Sequence, residues 1–74
     1  MNIVVNVEIF QEDDLYVALA PELNVSSFGE TVAEAQASIQ EALAAFVEEW
    51  EHMGTLADVL EESGFIKVNN VYEP

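Results

Sequence analysis

Apolar and polar residues alternate over the first twenty positions as they do in β-strands. In the segment 2–10 every odd position carries Ile or Val, and in the segment 15–20 Leu15, Val17 and Leu19 occupy every second position. Because successive side chains of a strand point to opposite faces, we predict two strands whose odd-numbered residues face the core. The polar run 11–14 predicts a four-residue hairpin loop between them. Alanines at 18 and 20 indicate that another surface closely approaches the opposite face.

A transition from strand to helix follows. Pro21 ends the second strand because it has no amide proton to donate. We predict a short third strand over 26–28, at an edge or beside the first strand, and a turn at Gly29. Thr31 and Glu34 have the spacing of a capping box, in which each side chain accepts a hydrogen bond from the other's backbone amide.

A long amphipathic helix is predicted after this cap. Apolar residues recur from Val32 to Trp50 at the spacing of one helix face, and alanines widen that face. We expect the face to cover the sheet. Because it is wider than one small sheet requires, we also predict a dimer interface on part of it, near Phe46 and Trp50.

Two further glycines divide the rest of the chain. Gly54 is predicted to end the long helix, and Thr55 to cap a second helix in the way Thr31 caps the first. Gly64 suits the left-handed position just past that helix, which allows Phe65 to pack back onto it. A last strand is expected over 65–68, where it either joins the sheet or pairs across a dimer.

These elements predict a single α+β domain over residues 1–74, in the order β-β-β-α-α-β. One long helix crosses a small antiparallel sheet. A chain of 74 residues buries a modest core, and the absence of cysteine removes disulfides as reinforcement. Since 51% of the residues are apolar, we expect oligomerisation, as a dimer or a larger assembly, to supply additional stability.

Charge is the most unusual property of the composition. Fifteen acidic residues accompany one lysine and no arginine, which gives a formal net charge of -14. Neutralising a nucleic-acid backbone or an anionic membrane requires several cations, so we expect neither partner. A basic protein is the complementary partner, although an acidic surface can also serve solubility or a saline cytoplasm. Exposed acids at the hairpin are the predicted contact residues: Glu12, Asp13, Asp14 and Glu22.

No constellation of catalytic residues is present in the sequence. His52 is the only histidine, so neither a histidine-based zinc site nor a serine triad can be assembled. Ser26 and Ser27 have no basic residue nearby in sequence to activate a hydroxyl. The acids at 12–14 could bind a hard cation, but consecutive acids more often form a solvated turn. We therefore predict a non-enzymatic protein without a metal or cofactor.

Localisation follows from the hydropathy pattern. No apolar run reaches the roughly 20 residues that cross a bilayer, and no basic segment precedes a hydrophobic one at the N-terminus. We expect a cytoplasmic protein.

Four short motifs stand at fixed spacing before and at the start of the long helix: Tyr16-Val17-Ala18, Pro21-Glu22-Leu23, Ser27-Phe28-Gly29-Glu30-Thr31 and Glu34-Ala35. Over about residues 3–50 this arrangement resembles the HicB family, the antitoxins of HicA–HicB toxin–antitoxin systems and their small solitary relatives. Two positions depart from the family pattern. The connection after Leu23 is shorter than in many members, and Phe28 stands where glutamine is common before the glycine.

The resemblance implies a partial ribonuclease H-like fold without ribonuclease activity. It also implies a partner, a small basic mRNA-cleaving toxin of the HicA type that the antitoxin inactivates by covering it. Full-length antitoxins often carry a C-terminal DNA-binding module. The 24 residues after Trp50 include five acids and one lysine, so we expect a short, solitary-type member without such a module.

Two other classes remain open on sequence alone. The first is a regulatory domain that binds a small molecule or a metal and has no toxin partner. The second is an enzyme of ribonuclease H type, which would require carboxylates clustered on adjacent strands. The inward positions predicted for the first two strands are aliphatic, which argues against the enzyme.

Overall fold

The computed structural model describes residues 2–74 and confirms a mixed α+β architecture. One long helix packs across a three-stranded sheet, and a second small sheet lies beside a short helix. The elements, in chain order, are β1 (Asn2–Ile3), β2 (Glu8–Glu12), β3 (Leu15–Ala20), β4 (Val25–Gly29), α1 (Val32–His52), α2 (Leu56–Glu62), β5 (Ile66–Val68) and β6 (Val71–Glu73).

The predicted first strand is two separate strands. Strands β2, β3 and β4 form one antiparallel sheet in that order, whereas β1 belongs to a second sheet of order β1-β6-β5. β1 runs parallel to β6, and the Val4 amide extends this pairing by donating to the Tyr72 carbonyl at 2.8 Å. The segment 4–7 therefore carries the chain from one sheet to the other. Alternating hydrophobicity was compatible with one continuous strand because it does not specify the pairing partner.

The hairpin loop between β2 and β3 is tighter than predicted. Glu12 pairs directly with Leu15, so only Asp13 and Asp14 form the loop, not four residues. Asp13 adopts φ 54°, a left-handed conformation that aspartate tolerates better than most residues. A two-residue loop with a left-handed residue matches the twist of the strands it joins, which allows the ladder to continue to the turn.

The face of β3 that meets the core is opposite to the predicted one. Ala18 and Ala20 are fully buried against Ala35 and Ile39 of α1. Leu15 lies on the other face and is 39% exposed. The small side chains face inward because they allow the long helix to lie close to the sheet. The close approach suggested by these alanines is thus confirmed, but the assignment of Leu15, Val17 and Leu19 to the core was wrong.

Gly29 serves close packing, not a turn. It is the last residue of β4, an edge strand that pairs with β3 and not with the first predicted strand. A Cβ atom built at Gly29 would stand 2.5 Å from the backbone nitrogen of Ala35. The glycine is therefore required because the first turn of α1 presses against the end of β4.

The predicted cap of α1 is present in a modified form. The Thr31 hydroxyl accepts from the Glu34 amide at 3.0 Å, as expected. The Glu34 carboxylate, however, accepts from the amide of Glu30 at 2.8 Å, not from that of Thr31. At the other end Gly54 adopts φ 75°, and the Thr55 amide donates to the Trp50 carbonyl, which closes the helix with a Schellman motif.

Helix α2 ends as predicted, but the cap predicted at its start is absent. Gly64 adopts φ 89°, and the Phe65 amide donates to the Leu60 carbonyl at 2.9 Å. Phe65 and Leu60 are buried in the same apolar cluster, as predicted. Thr55 stands at the start of the helix, but its side chain makes no capping hydrogen bond.

A second core lies between α1, α2 and the small sheet. Its buried members are Leu23, Leu56, Leu60, Phe65 and Tyr72. Leu23 comes from the β3–β4 loop, so this loop inserts a side chain from the first sheet into the second core. The predicted last strand, β5, pairs with β6 and lies in the second sheet. In the part of the chain described, neither helix has the length and apolarity needed to traverse a bilayer.

Candidate functional site

The face of the β2-β3-β4 sheet turned away from α1 carries a row of apolar side chains. Strand register places Phe10 opposite Val17 and Val17 opposite Phe28, so the row crosses all three strands. Phe28 is 65% exposed and Phe10 is 44% exposed. We call this surface the outer sheet face. By register and alternation it consists of Glu8, Phe10, Glu12, Leu15, Val17, Leu19, Ser26 and Phe28.

The apolar row exists because the sheet is covered on one side only. α1 packs over the alanines of β3, and within residues 2–74 no second layer covers the opposite face. Single exposed apolar residues are ordinary, but adjacent ones on a rigid sheet form a continuous patch. Two exposed phenylalanines on either side of one valine are such a patch, and aromatic residues are enriched in protein interfaces.

Carboxylates border this patch at both ends. Glu8 pairs with Leu19 on one side, and Glu12 pairs with Leu15 beside the turn. Asp13 and Asp14 continue the acidic border around the hairpin. A shallow cavity of about 250 Å³ lies there, lined by Glu12, Asp13, Leu15, Val17 and Phe28. The outer sheet face therefore combines apolar contact area with a negative rim and includes no lysine or arginine.

The one lysine of the chain lies elsewhere. Lys67 is in β5 of the second sheet, and its Nζ atom is 6.0 Å from the centre of the Tyr72 ring. It therefore supplies no counter-charge to the acids that border the outer sheet face.

Glu22 does not belong with the other three predicted contact acids. Glu12, Asp13 and Asp14 lie together at the β2–β3 turn, whereas Glu22 is in the β3–β4 loop at the opposite end of β3. Six strand residues separate the two loops, which corresponds to roughly 20 Å. The Asn6 amide group donates to the Glu22 carboxylate at 3.0 Å, so Glu22 joins its loop to the crossover between the sheets.

Phe46 and Trp50, the predicted dimer residues, pack on the chain's own core. Both are half-buried against the cluster of Leu23, Leu56, Leu60, Phe65 and Tyr72. Their ring centres are 6.3 Å apart with planes tilted by 57°, a favourable aromatic geometry. Much of their apolar surface is thus used within the chain, and a role in dimerisation stays a prediction.

The local pattern does not indicate that Phe10 and Phe28 share a surface. Phe10 falls on the even-numbered face of the strand predicted over 2–10, and Phe28 is the last residue of the strand predicted over 26–28. Their proximity depends on the register of β2 and β4 against β3. Neither phenylalanine carries a local signal of that register. The tight Asp13-Asp14 turn fixes the register of β2 against β3, but not that of β4 against β3.

Residues considered for chemistry are dispersed. His52 is exposed in the last turn of α1. The Ser27 hydroxyl hydrogen-bonds that of Ser38, joining β4 to the helix. Across residues 2–74 no three or more His, Asp or Glu side chains gather in a metal-binding group.

Comparisons with protein-family models, with curated protein sequences and with solved structures find no match for this chain.

Proposed function

We propose that this chain is a non-enzymatic binding domain that holds a small basic protein on its outer sheet face. The observation that carries the proposal is the continuous row of Phe10, Val17 and Phe28, bordered by carboxylates without a neighbouring cation. A partner with an apolar patch inside a ring of lysines or arginines would complement both properties.

The two parts of this surface have different tasks. Burial of the row of Phe10, Val17 and Phe28 gives most of the affinity, because it removes apolar and aromatic surface from water. The carboxylates at the rim accelerate encounter with a cationic partner and disfavour anionic competitors. A net charge of -14 adds to this attraction at long range. It also opposes association of two copies through the outer sheet face, since the acidic rims would then meet.

We infer further that the partner is a toxin of the HicA type, which the domain neutralises by covering it in the cytoplasm. The resemblance to HicB antitoxins supports this identification, and so does the combination of a three-stranded antiparallel sheet with one long helix. The structural motifs of the resemblance have clear roles here. Leu23 is buried in the second core and Thr31 caps α1, so these motifs maintain the scaffold that presents the outer sheet face.

A toxin-neutralisation assay tests the proposal. A HicA-type toxin, taken from the genes that adjoin this chain's own, is expressed alone, with the wild type, and with the double variant Phe10→Thr, Phe28→Thr. We expect the wild type to stop mRNA cleavage and restore growth, and the double variant to fail. Unchanged toxin activity in a purified mixture with excess wild-type protein would refute the antitoxin role. Full neutralisation by a folded double variant would refute the outer sheet face as its site.

A regulatory domain that binds a small molecule is the second candidate function. It is favoured by a separate feature, an open apolar groove beside α1 that is lined by Ile3, Val5, Leu43 and Val47 among others. This groove lies on the edge of the second core and does not involve the outer sheet face.

A further inference from the structure

A groove of about 450 Å³ runs between helix α1 and the N-terminal segment of the chain. Its volume is within the range of small-molecule sites. Half-buried Ile3 and Val5 form one side, and half-buried Leu43 and Val47 of the helix form the other. Ala44 lies between the two helix residues and adds no bulk, which leaves the groove open there.

The helix contributes one continuous stripe to this groove. The helix residues that line the groove follow one another at intervals of three or four, so they share one helix face. They are Gln40, Leu43, Ala44, Val47, Glu48 and Glu51. The eleven helical steps from Gln40 to Glu51 correspond to roughly 16 Å. The groove is therefore elongated, with an apolar floor, and suits a linear chain better than a compact ring.

Two carboxylates stand at one end of the stripe. Glu48 and Glu51 line the groove, and both are exposed. Among residues 2–74 no basic side chain lines it, and the chain's one lysine is in β5. An entering ligand thus meets an apolar floor and a pair of negative charges at one end, in the field of a strongly acidic protein.

This combination selects among possible occupants. An anionic amphiphile would be repelled by Glu48 and Glu51, and so would a second copy of this acidic chain. A bare metal ion would leave the apolar floor unused. A linear apolar chain that ends in an ammonium group fits both parts, because its tail leaves water and its charge lies beside the two carboxylates.

We propose that the α1 groove binds a hydrophobic ammonium compound, with the alkyl tail on Ile3, Val5, Leu43 and Val47 and the cation beside Glu48 and Glu51. The binding site is independent of the outer sheet face and does not require a protein partner. The class of ligand that fits this site is a linear aliphatic amine.

Titration with octylamine, followed by methyl NMR and calorimetry below the micelle concentration, tests the assignment. We expect saturable binding, with the largest shifts in the methyl groups of Ile3, Val5, Leu43 and Val47. Nonanoate has the same eight-carbon alkyl tail and the opposite charge, and we expect it to bind at least tenfold more weakly. Equal binding of nonanoate, absence of octylamine binding, or shifts confined to other residues would each overturn the proposal.

Variants separate the two parts of the site. Ala44→Trp fills the groove from an exposed helix position, and we expect it to abolish binding. Glu48→Gln with Glu51→Gln removes both charges and is expected to weaken binding by roughly three- to tenfold, as for two exposed ion pairs. The control is Glu61→Gln with Glu62→Gln, which removes the same charge from α2. An equal effect of the control pair would show that only net charge matters and would refute the site.

Discussion

A Cβ atom at position 29 would lie 2.5 Å from the backbone nitrogen of Ala35, so the end of β4 and the first turn of α1 are in contact through backbone atoms. The same virtual Cβ lies 2.6 Å from the Cβ of Glu34. Backbone in the first helical turn cannot move without disturbing the Thr31 cap beside it. This contact fixes where the long helix begins on the sheet.

Gly29→Ala is therefore expected to destabilise the fold by about 1–3 kcal/mol, the usual cost of overpacking. Chemical denaturation followed by circular dichroism measures the change. Ser26→Ala, on an exposed position of the same strand, is the control and should change the free energy of unfolding by less than about 0.5 kcal/mol. Equal stability of the two variants would contradict the close approach.

The two threonines at helix starts should respond oppositely to loss of the hydroxyl. Thr31→Ala removes a capping hydrogen bond and is expected to cost about 1 kcal/mol of unfolding free energy. The Thr55 hydroxyl oxygen is buried without a hydrogen-bond partner in the described chain. Thr55→Val keeps the shape and removes an unsatisfied polar atom, so we expect it to be neutral or stabilising. Thermal or denaturant unfolding measures both variants, and comparable losses of unfolding free energy in Thr31→Ala and Thr55→Val would refute this distinction.

Leu23 connects the two halves of the molecule and is only 7% exposed. Its replacement by alanine is expected to cost about 2–5 kcal/mol, because the loop side chain leaves a cavity in the second core. Leu15→Ala, at a 39% exposed position, is the matched control and should cost clearly less. Hydrogen exchange adds a sharper measurement. Loss of Leu23 should reduce protection in β5 and β6 as well as in its own loop.

Replacement of the outer phenylalanines should separate binding from stability. Phe28→Thr keeps a residue that favours strands and removes an aromatic side chain that is 65% exposed. We expect binding of the basic partner to weaken at least tenfold, with unfolding free energy changed by less than about 1 kcal/mol. Val32→Thr replaces a 48% exposed apolar residue elsewhere and is the control. Equal loss of binding in both variants would argue against a specific face.

Charge removal at the hairpin should act mainly on association rate. Glu12→Gln with Asp13→Asn leaves the left-handed turn intact, because asparagine also tolerates a positive φ. We expect slower association with the basic partner, little change in dissociation, and a weaker dependence on salt. Surface-based kinetics at two ionic strengths measures all three. The control is Glu61→Gln with Glu62→Gln, which changes net charge equally and should leave most of the salt dependence in place.

Local signals were sufficient for the limits of the long helix and for the end of α2, but the capping bond predicted for Thr55 was wrong. Thr31, Gly54 and Gly64 act at the chain positions where their chemistry predicts a start or an end. The β-strands were predicted less completely, because a strand is defined by its partner as well as by its own residues. Two errors followed from this. The segment 2–10 was predicted as one strand, and the larger apolar residues of β3 were assigned to the core.

For the candidate site, sequence alone identified the acidic hairpin but not the aromatic row. Glu12, Asp13 and Asp14 are adjacent in sequence, so their proximity required no tertiary information. Phe10 and Phe28 are far apart in sequence, and only pairing with β3 brings them to either side of Val17. Glu22 was grouped with the hairpin acids by charge, although the length of β3 separates them.

The sequence by itself determined the α+β class, the limits of the long helix and the acidity of the surface, because these depend on local caps, periodicity and composition. Only the tertiary structure decided which face of the sheet is covered. α1 requires close approach, so it packs on Ala18 and Ala20 and leaves the larger apolar residues outside. The alanines indicate a close approach, but only the packing of α1 shows that their face is the core, and this packing leaves Phe10, Val17 and Phe28 as an exposed surface.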